Sequence, residues 1–140
     1  MPPPTAHGDV VEGPRHEARE RALSLLYEAA IKQVDPGEVL AELAVAPDPF
    51  AVDLVRGVAG AQARIDQLVT EAAVGWQLER MPVVDRTVLR LATYELLARP
   101  DIPVAVVIDE AVELAKRYST EQSGGFVNGV LATIARRVRP

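Results

Sequence analysis

Apolar residues recur every three to four positions along most of the chain, which is the spacing of one face of an α-helix. In the first such stretch Ala18, Ala22, Leu25 and Ala29 fall on a common face at about 100° per residue. Similar stripes predict a short helix over 38–44, a long helix over 50–72 bent near its two glycines, and further helices between 83 and 138. No strand pattern competes, so we predict an all-α fold of about seven helices.

Proline and glycine divide this pattern into segments. "DPG" at 35–37, "APDP" at 46–49 and "GWQLERMP" at 75–82 predict breaks, and the last of these predicts a hinge. We therefore expect a disordered tail over 1–13 and a helical domain over 14–140, with subdomains of about 14–75 and 82–138 that share one core. Asp101 and Ser123 are predicted helix caps. Gly129 costs roughly 1 kcal/mol within the last helix, which predicts a close approach by another backbone.

Composition indicates which residue types form the core and which cellular compartment the chain suits. Hydrophobic residues make up 49% of the 140 residues and aromatic residues only 4%, so the core must be aliphatic. Cysteine is absent, which favours a reducing compartment. No apolar run reaches the roughly 18 residues of a membrane span, and the first residues lack the pattern of a signal peptide. We expect a cytoplasmic protein.

The first helix carries cations although the formal net charge of the chain is −5. Arg15, His16, Arg19 and Arg21 lie near its N-terminus, where the helix dipole disfavours positive charge. Arg21 lies four residues after Glu17, which predicts a surface ion pair.

Arg15 and Arg19 occupy the other flank of this helix, and neither has an acid four residues further on. One interpretation is that they cover the core edge and pair with an acid from another helix. The other is a small phosphate-binding edge, with His16 and Tyr27 beside it. The second interpretation predicts that Arg15→Ala and Arg19→Ala weaken RNA binding with little change in stability, whereas Arg21→Ala does neither.

Catalytic chemistry finds little support in the sequence. His7 and His16 are the two histidines, and they build neither a nucleophile set nor a metal site, so we expect no enzyme and no cofactor. Asp109, Glu110 and Glu113 have the spacing of a solvated helix face. Phe126 is either a partly buried packing residue or a stacking surface for a base or a partner side chain.

Three stretches together resemble the NusB family of transcription antitermination proteins. They are "ARERALSLLYEA", "VVDRTVLRLATYELL" and "IPVAVVIDEAVELAKRYSTEQSGGFVNGVL", and the resemblance covers nearly the whole chain after about residue 14. It implies a NusB-like fold of two small helical bundles without enzymatic activity. It further implies binding of the boxA element of ribosomal RNA leader transcripts together with the ribosomal protein NusE, so that RNA polymerase reads through terminators.

The resemblance also implies site residues. The RNA-binding positions it implies are Arg15, His16, Arg19, Tyr27, Gln122 and Phe126, and the partner-binding positions are Tyr27 and Asp85. The sequence departs from a fully basic motif at Glu17, and the preceding "VVEGP" is not basic. An acidic chain with few phosphate contacts should bind RNA poorly alone, which favours a basic partner that shares the RNA.

Two other classes of function stay open. One is a protein-interaction scaffold of the same fold without RNA contact, which Glu17 and the acidic segment before the first helix favour. Leu23 and Leu26 leave an apolar margin that one chain need not cover, so we also expect a homodimer that hides part of the RNA-binding edge. The other is an enzyme, because some ribosomal RNA cytosine methyltransferases carry a similar N-terminal helical domain. The chain shows no glycine-rich cofactor motif and no cysteine nucleophile, which argues against the enzyme.

Overall fold

A computed structural model describes residues 13–140, so His7 and the predicted tail up to residue 12 lie outside the described residues. The described residues form seven α-helices and one short 3₁₀ helix, with no strand among them. The α-helices are α1 Pro14–Lys32, α2 Pro36–Ala41, α3 Pro49–Gly60, α4 Gln62–Ala72, α5 Val83–Ala98, α6 Val104–Tyr118 and α7 Glu121–Val138, and the 3₁₀ helix is Leu78–Arg80. The predicted all-α fold is confirmed.

Local capping explains where the first helices begin. The side chains of Asp35 and Asp48 accept backbone N–H bonds, each at 2.7 Å, and so cap α2 and α3. A proline occupies the first turn in both helices and in α1. The predicted long helix over 50–72 is two helices, because the chain leaves helical geometry at Ala61 instead of bending.

Two predicted caps are wrong. The cap of α7 is Thr120, whose hydroxyl accepts a hydrogen bond from the Ser123 backbone N–H at 3.1 Å. The Ser123 hydroxyl in turn accepts from the Thr120 backbone N–H, which completes a capping box. Ser123 therefore lies inside the first turn. Asp101 does not cap α6, which begins after Pro103. Its carboxylate instead accepts from the Arg99 guanidinium at 3.3 Å.

The core is aliphatic, as expected, and draws side chains from every α-helix into one cluster. The predicted inner face of α1 is buried throughout. Leu23 and Leu26 are 5% and 6% exposed within the single chain, so the apolar margin that suggested a homodimer does not exist. The division into two subdomains stays a prediction.

Glycines show where the helices pack closest. A Cβ at Gly57 would overlap the Tyr94 ring, so α3 and α5 approach each other at that point. Nothing in the described structure lies within 4 Å of a Cβ placed at Gly129, so the close approach predicted there is wrong within this chain.

The Arg139 side chain hydrogen-bonds the C-terminal end of α5 and the residues that follow it. Its guanidinium donates to the backbone carbonyls of Glu95, Leu96, Arg99 and Ile102 at 2.5–2.9 Å. Carbonyls at a helix C-terminus lack partners within the helix, and a cation there satisfies them. The clamp therefore fixes the part of α5 from which the Glu95 side chain projects.

Among residues 13–140 no helix is both long enough and apolar enough to span a bilayer.

Candidate functional site

Arg19 lies inside the protein and is only 4% exposed. Its Nε and Nη2 donate to the two carboxylate oxygens of Glu95 at 2.9 and 2.7 Å, and its Nη1 donates to Glu110 at 3.3 Å. Burial lowers the pKa of Arg19, but the hydrogen bonds and charges of the two glutamates outweigh it and raise that pKa above its ordinary value. The bidentate pair with Glu95 joins α1 to α5, and the bond to Glu110 joins α1 to α6.

His16 completes this buried polar network, which consists of His16, Arg19, Glu95 and Glu110. Its Nδ1 lies 2.9 Å from Glu110 Oε1, its Nε2 lies 3.8 Å from Glu20 Oε1, and the residue is 5% exposed. The predicted exposed edge of Arg15, His16 and Arg19 is therefore wrong at two of its three positions. Of the two interpretations of Arg19, the pairing with acids from other helices is the one the structure shows.

The sequence contained a signal for this burial. Glu95 follows Val88, Leu91 and Ala92 at helical spacing, so it belongs to the apolar stripe of α5. Glu110 likewise continues the buried stripe of α6 and is 0% exposed, which corrects its placement on a solvated face. A buried acid is costly unless it is paired or hydrogen-bonded, and α1 supplies Arg19 as its partner.

Arg15 is the one residue of the predicted basic edge that reaches the surface. Its guanidinium lies 4.9 Å from the centre of the Phe50 ring and 3.6 Å from the Asp101 carboxylate, and its side chain is 51% exposed. Arg99 contacts the same ring at 5.0 Å. The predicted pair between Glu17 and Arg21 is absent from the ion pairs of the described residues.

A half-open groove of about 420 Å³ lies between α1, α5 and α6. We call it the tyrosine groove; its lining residues are Glu20, Leu23, Ser24, Tyr27, Val84 and Tyr118. Tyr27 and Tyr118 are 41% and 49% exposed. The Tyr118 hydroxyl donates to Glu20 at 2.6 Å and lowers the pKa of that carboxyl, assisted by Arg117 at 2.9 Å. The groove thus has a fixed acid beside two accessible aromatic rings.

Asp85 does not reach the surface where a partner would contact it. It is 4% exposed and accepts a hydrogen bond from the Ser123 hydroxyl at 2.9 Å, so it ties the start of α5 to the first turn of α7. Its direct role in partner binding is therefore corrected to that of a residue that positions α7.

Trp76 is a feature that the sequence interpretation missed. It is 55% exposed and its ring centre lies 5.3 Å from that of Phe126, with 57° between the ring planes. Phe126 is partly buried, and Gln122, one helical turn earlier, is exposed. The only tryptophan of the chain, placed in a predicted hinge, was the available signal.

No group of three or more His, Asp or Glu side chains within the described part of the chain has an arrangement that could hold a metal ion.

The fold and these surfaces define an all-α protein with exposed aromatic rings at the tyrosine groove and at the Trp76–Phe126 contact. The chain belongs to the NusB family, whose family model matches residues 16–136.

Relatives and solved structures agree with this membership. The chain is 51% identical over 124 residues to the transcription antitermination protein NusB of Acidothermus cellulolyticus, which covers 86% of each chain. It resembles the structure of T. maritima NusB with a TM-score of 0.83 and 41% identity over 92% of this chain and 95% of that one. It also resembles a chain of the crystal structure of antitermination factors NusB and NusE in complex with dsRNA, with a TM-score of 0.70 and 29% identity over 86% and 94% of the two chains.

Proposed function

We propose that this chain is a transcription antitermination factor that binds the boxA element of ribosomal RNA leader transcripts together with NusE. In this proposal the complex promotes read-through by RNA polymerase, and the chain acts in the cytoplasm without catalysing a reaction. Family membership and the relative solved with NusE and RNA support it.

The observation that carries the partner assignment is the tyrosine groove. Concave, largely apolar sites with a few placed polar groups are typical binding sites, and half-exposed tyrosines are frequent anchors in protein interfaces. Glu20 adds a fixed negative charge to the groove. A basic protein segment complements that charge, and its own cations supply the RNA affinity that an acidic chain lacks.

The RNA assignment now rests on fewer residues than the sequence suggested. Arg15, Tyr27, Gln122 and Phe126 are accessible, whereas His16 and Arg19 act from the interior. In this proposal Arg15 exchanges its Asp101 partner for a phosphate. That exchange costs little, because exposed ion pairs are worth about 0–1 kcal/mol.

A second candidate function is a protein-interaction scaffold of the same fold without RNA contact. The burial of Arg19 and His16 favours it, because it removes two of the cations proposed to meet RNA.

Labelled boxA leader RNA should be titrated with the chain alone, with NusE alone and with both, and followed by fluorescence anisotropy. We expect weak binding by each protein alone and at least 10-fold tighter binding by the pair. A scrambled boxA sequence controls for nonspecific attraction. Binding that is unchanged when the chain joins NusE contradicts the RNA function and leaves the scaffold.

Tyr27→Ala tests the groove itself. It should weaken NusE binding, and Ile31→Ala is a matched control because Ile31 is a 56% exposed apolar residue one turn further along α1, outside the groove lining. Equal NusE affinities for the two variants contradict the groove as the partner site.

A further inference from the structure

All six aromatic residues of the chain lie outside the fully buried core. Tyr27, Trp76 and Tyr118 are exposed, and Phe50, Tyr94 and Phe126 are only partly buried. Aromatic rings are normally among the largest contributors to core burial. Two of the rings line the tyrosine groove, and Phe50 and Tyr94 bind polar side chains or fill the space at Gly57. Phe126 packs against the edge of the core, as Phe50 and Tyr94 do, and only Trp76 has none of these roles among the described residues.

The Trp76 side chain is held out at the surface by its local backbone. Gly75 adopts a φ of +84°, in the left-handed region, and the Trp76 backbone N–H closes the turn by donating to the Ala73 carbonyl at 3.0 Å. The ring meets the Phe126 ring at a tilt, and 55% of the residue stays exposed. A turn that fixes an exposed indole ring limits the entropy lost when a ligand stacks on it.

Three uncharged residues of α7 near Phe126 are open to solvent. Gln122 lies one turn before Phe126 and Gly129 lies one turn after it, so both are neighbours of Phe126 on the helix surface. Gly125 directly precedes Phe126, and all three residues are exposed. A Cβ at either glycine would meet nothing within 4 Å. Each glycine costs roughly 1 kcal/mol relative to alanine in a helix, and no contact within the described chain accounts for that cost.

We propose that Trp76 and Phe126 form a stacking platform for an unpaired RNA base, with the Gln122 amide available to hydrogen-bond its edge. This inference rests on the proposed RNA function and deepens it by adding Trp76 as a base-contacting residue. Aromatic stacking combined with amide hydrogen bonds is how proteins recognise unstacked RNA bases.

Charge distinguishes this platform from the tyrosine groove. The side chains that form the platform carry no charge, whereas the tyrosine groove contains the Glu20 carboxylate that suits a basic protein. The Asp85–Ser123 hydrogen bond connects the two surfaces, since Val84 lines the groove and Phe126 follows Ser123 by three residues.

The single tryptophan makes the test direct, because all indole fluorescence of the chain comes from Trp76. BoxA leader RNA should be titrated into the chain with a tryptophan-free NusE, recording RNA anisotropy and Trp76 emission together. We expect Trp76 quenching with the same midpoint as the anisotropy change. Trp76→Ala should weaken RNA binding on the order of 10-fold, Trp76→Phe should restore most of it, and Val74→Ala, at an 85% exposed neighbour, should leave it unchanged.

The outcomes separate this inference from the proposed function. RNA binding by anisotropy with unchanged Trp76 emission and wild-type affinity of Trp76→Ala overturns the platform and leaves the RNA function intact. Quenching by NusE without RNA assigns the surface to protein docking and also overturns it. Absence of RNA binding by the wild-type pair overturns both. Circular dichroism of the two Trp76 variants checks that each is folded.

Discussion

Helix α1 contributes to two regions of opposite character. Near its N-terminus Arg19 and His16 enter the interior and bind two buried glutamates. Two turns further on, Tyr27 faces the open tyrosine groove. Charged residues are thus paired inside this protein, while aromatic residues occupy its surface. The type of a residue alone does not show whether that residue serves folding or binding. The side chains that it contacts on other helices show this.

The largest effect we expect is the loss of stability in Arg19→Ala. Truncation leaves Glu95 and Glu110 buried without their cation, which costs about 3–5 kcal/mol of the free energy of unfolding. Urea denaturation at low temperature measures it. This reverses the prediction from the sequence that Arg19→Ala changes stability little.

Arg21→Ala is the matched control for that change, since Arg21 is an exposed arginine on the same helix, and we expect a change within about 0.5 kcal/mol. Similar unfolding midpoints for the two variants would show that the buried network contributes little.

Alanine substitutions at two glycines compare a tightly packed helix contact with an open helix surface. Gly57→Ala forces the Tyr94 ring to move and should destabilise by roughly 1–3 kcal/mol. Gly129→Ala adds a methyl group to open space and should stabilise α7 by up to about 1 kcal/mol. Thermal unfolding of both variants measures the difference, and a destabilised Gly129→Ala would contradict the open surface beside Phe126.

The smallest effect concerns Glu20, which stands between the two regions. Its pKa is lowered, first by the Tyr118 hydroxyl and further by Arg117, so its carboxylate contributes stability above its ordinary pKa of about 4.5 that is lost as the pH falls below it. Glu20→Gln should therefore lose less stability than the wild type on acidification through that range, by under about 1 kcal/mol. Parallel denaturation series at neutral and acidic pH test this, and identical slopes would refute it.

Local signals predicted the helices well. The predicted breaks at 35–37 and 46–49 contain the starts of α2 and α3, although α2 covers Pro36–Ala41 instead of 38–44, and the apolar stripe of α1 is buried as expected. The site was harder, because the fate of Arg19 depends on acids 76 and 91 residues away in the sequence. A helical wheel of α1 alone cannot show them, although Glu95 and Glu110 stood on apolar stripes of their own helices. Trp76 was missed because a hinge residue belongs to no stripe.

The salt dependence of RNA affinity tests most directly whether the buried cations support the fold and only exposed groups meet RNA. The logarithm of affinity should be measured against that of salt concentration for the complex with NusE, using the wild type, Arg15→Ala and Arg19→Gln. Each lost phosphate contact reduces the slope by about 0.7 on single-stranded RNA. The account predicts that reduction for Arg15→Ala and a wild-type slope for folded Arg19→Gln. A slope reduced by about 0.7 in Arg19→Gln would contradict it.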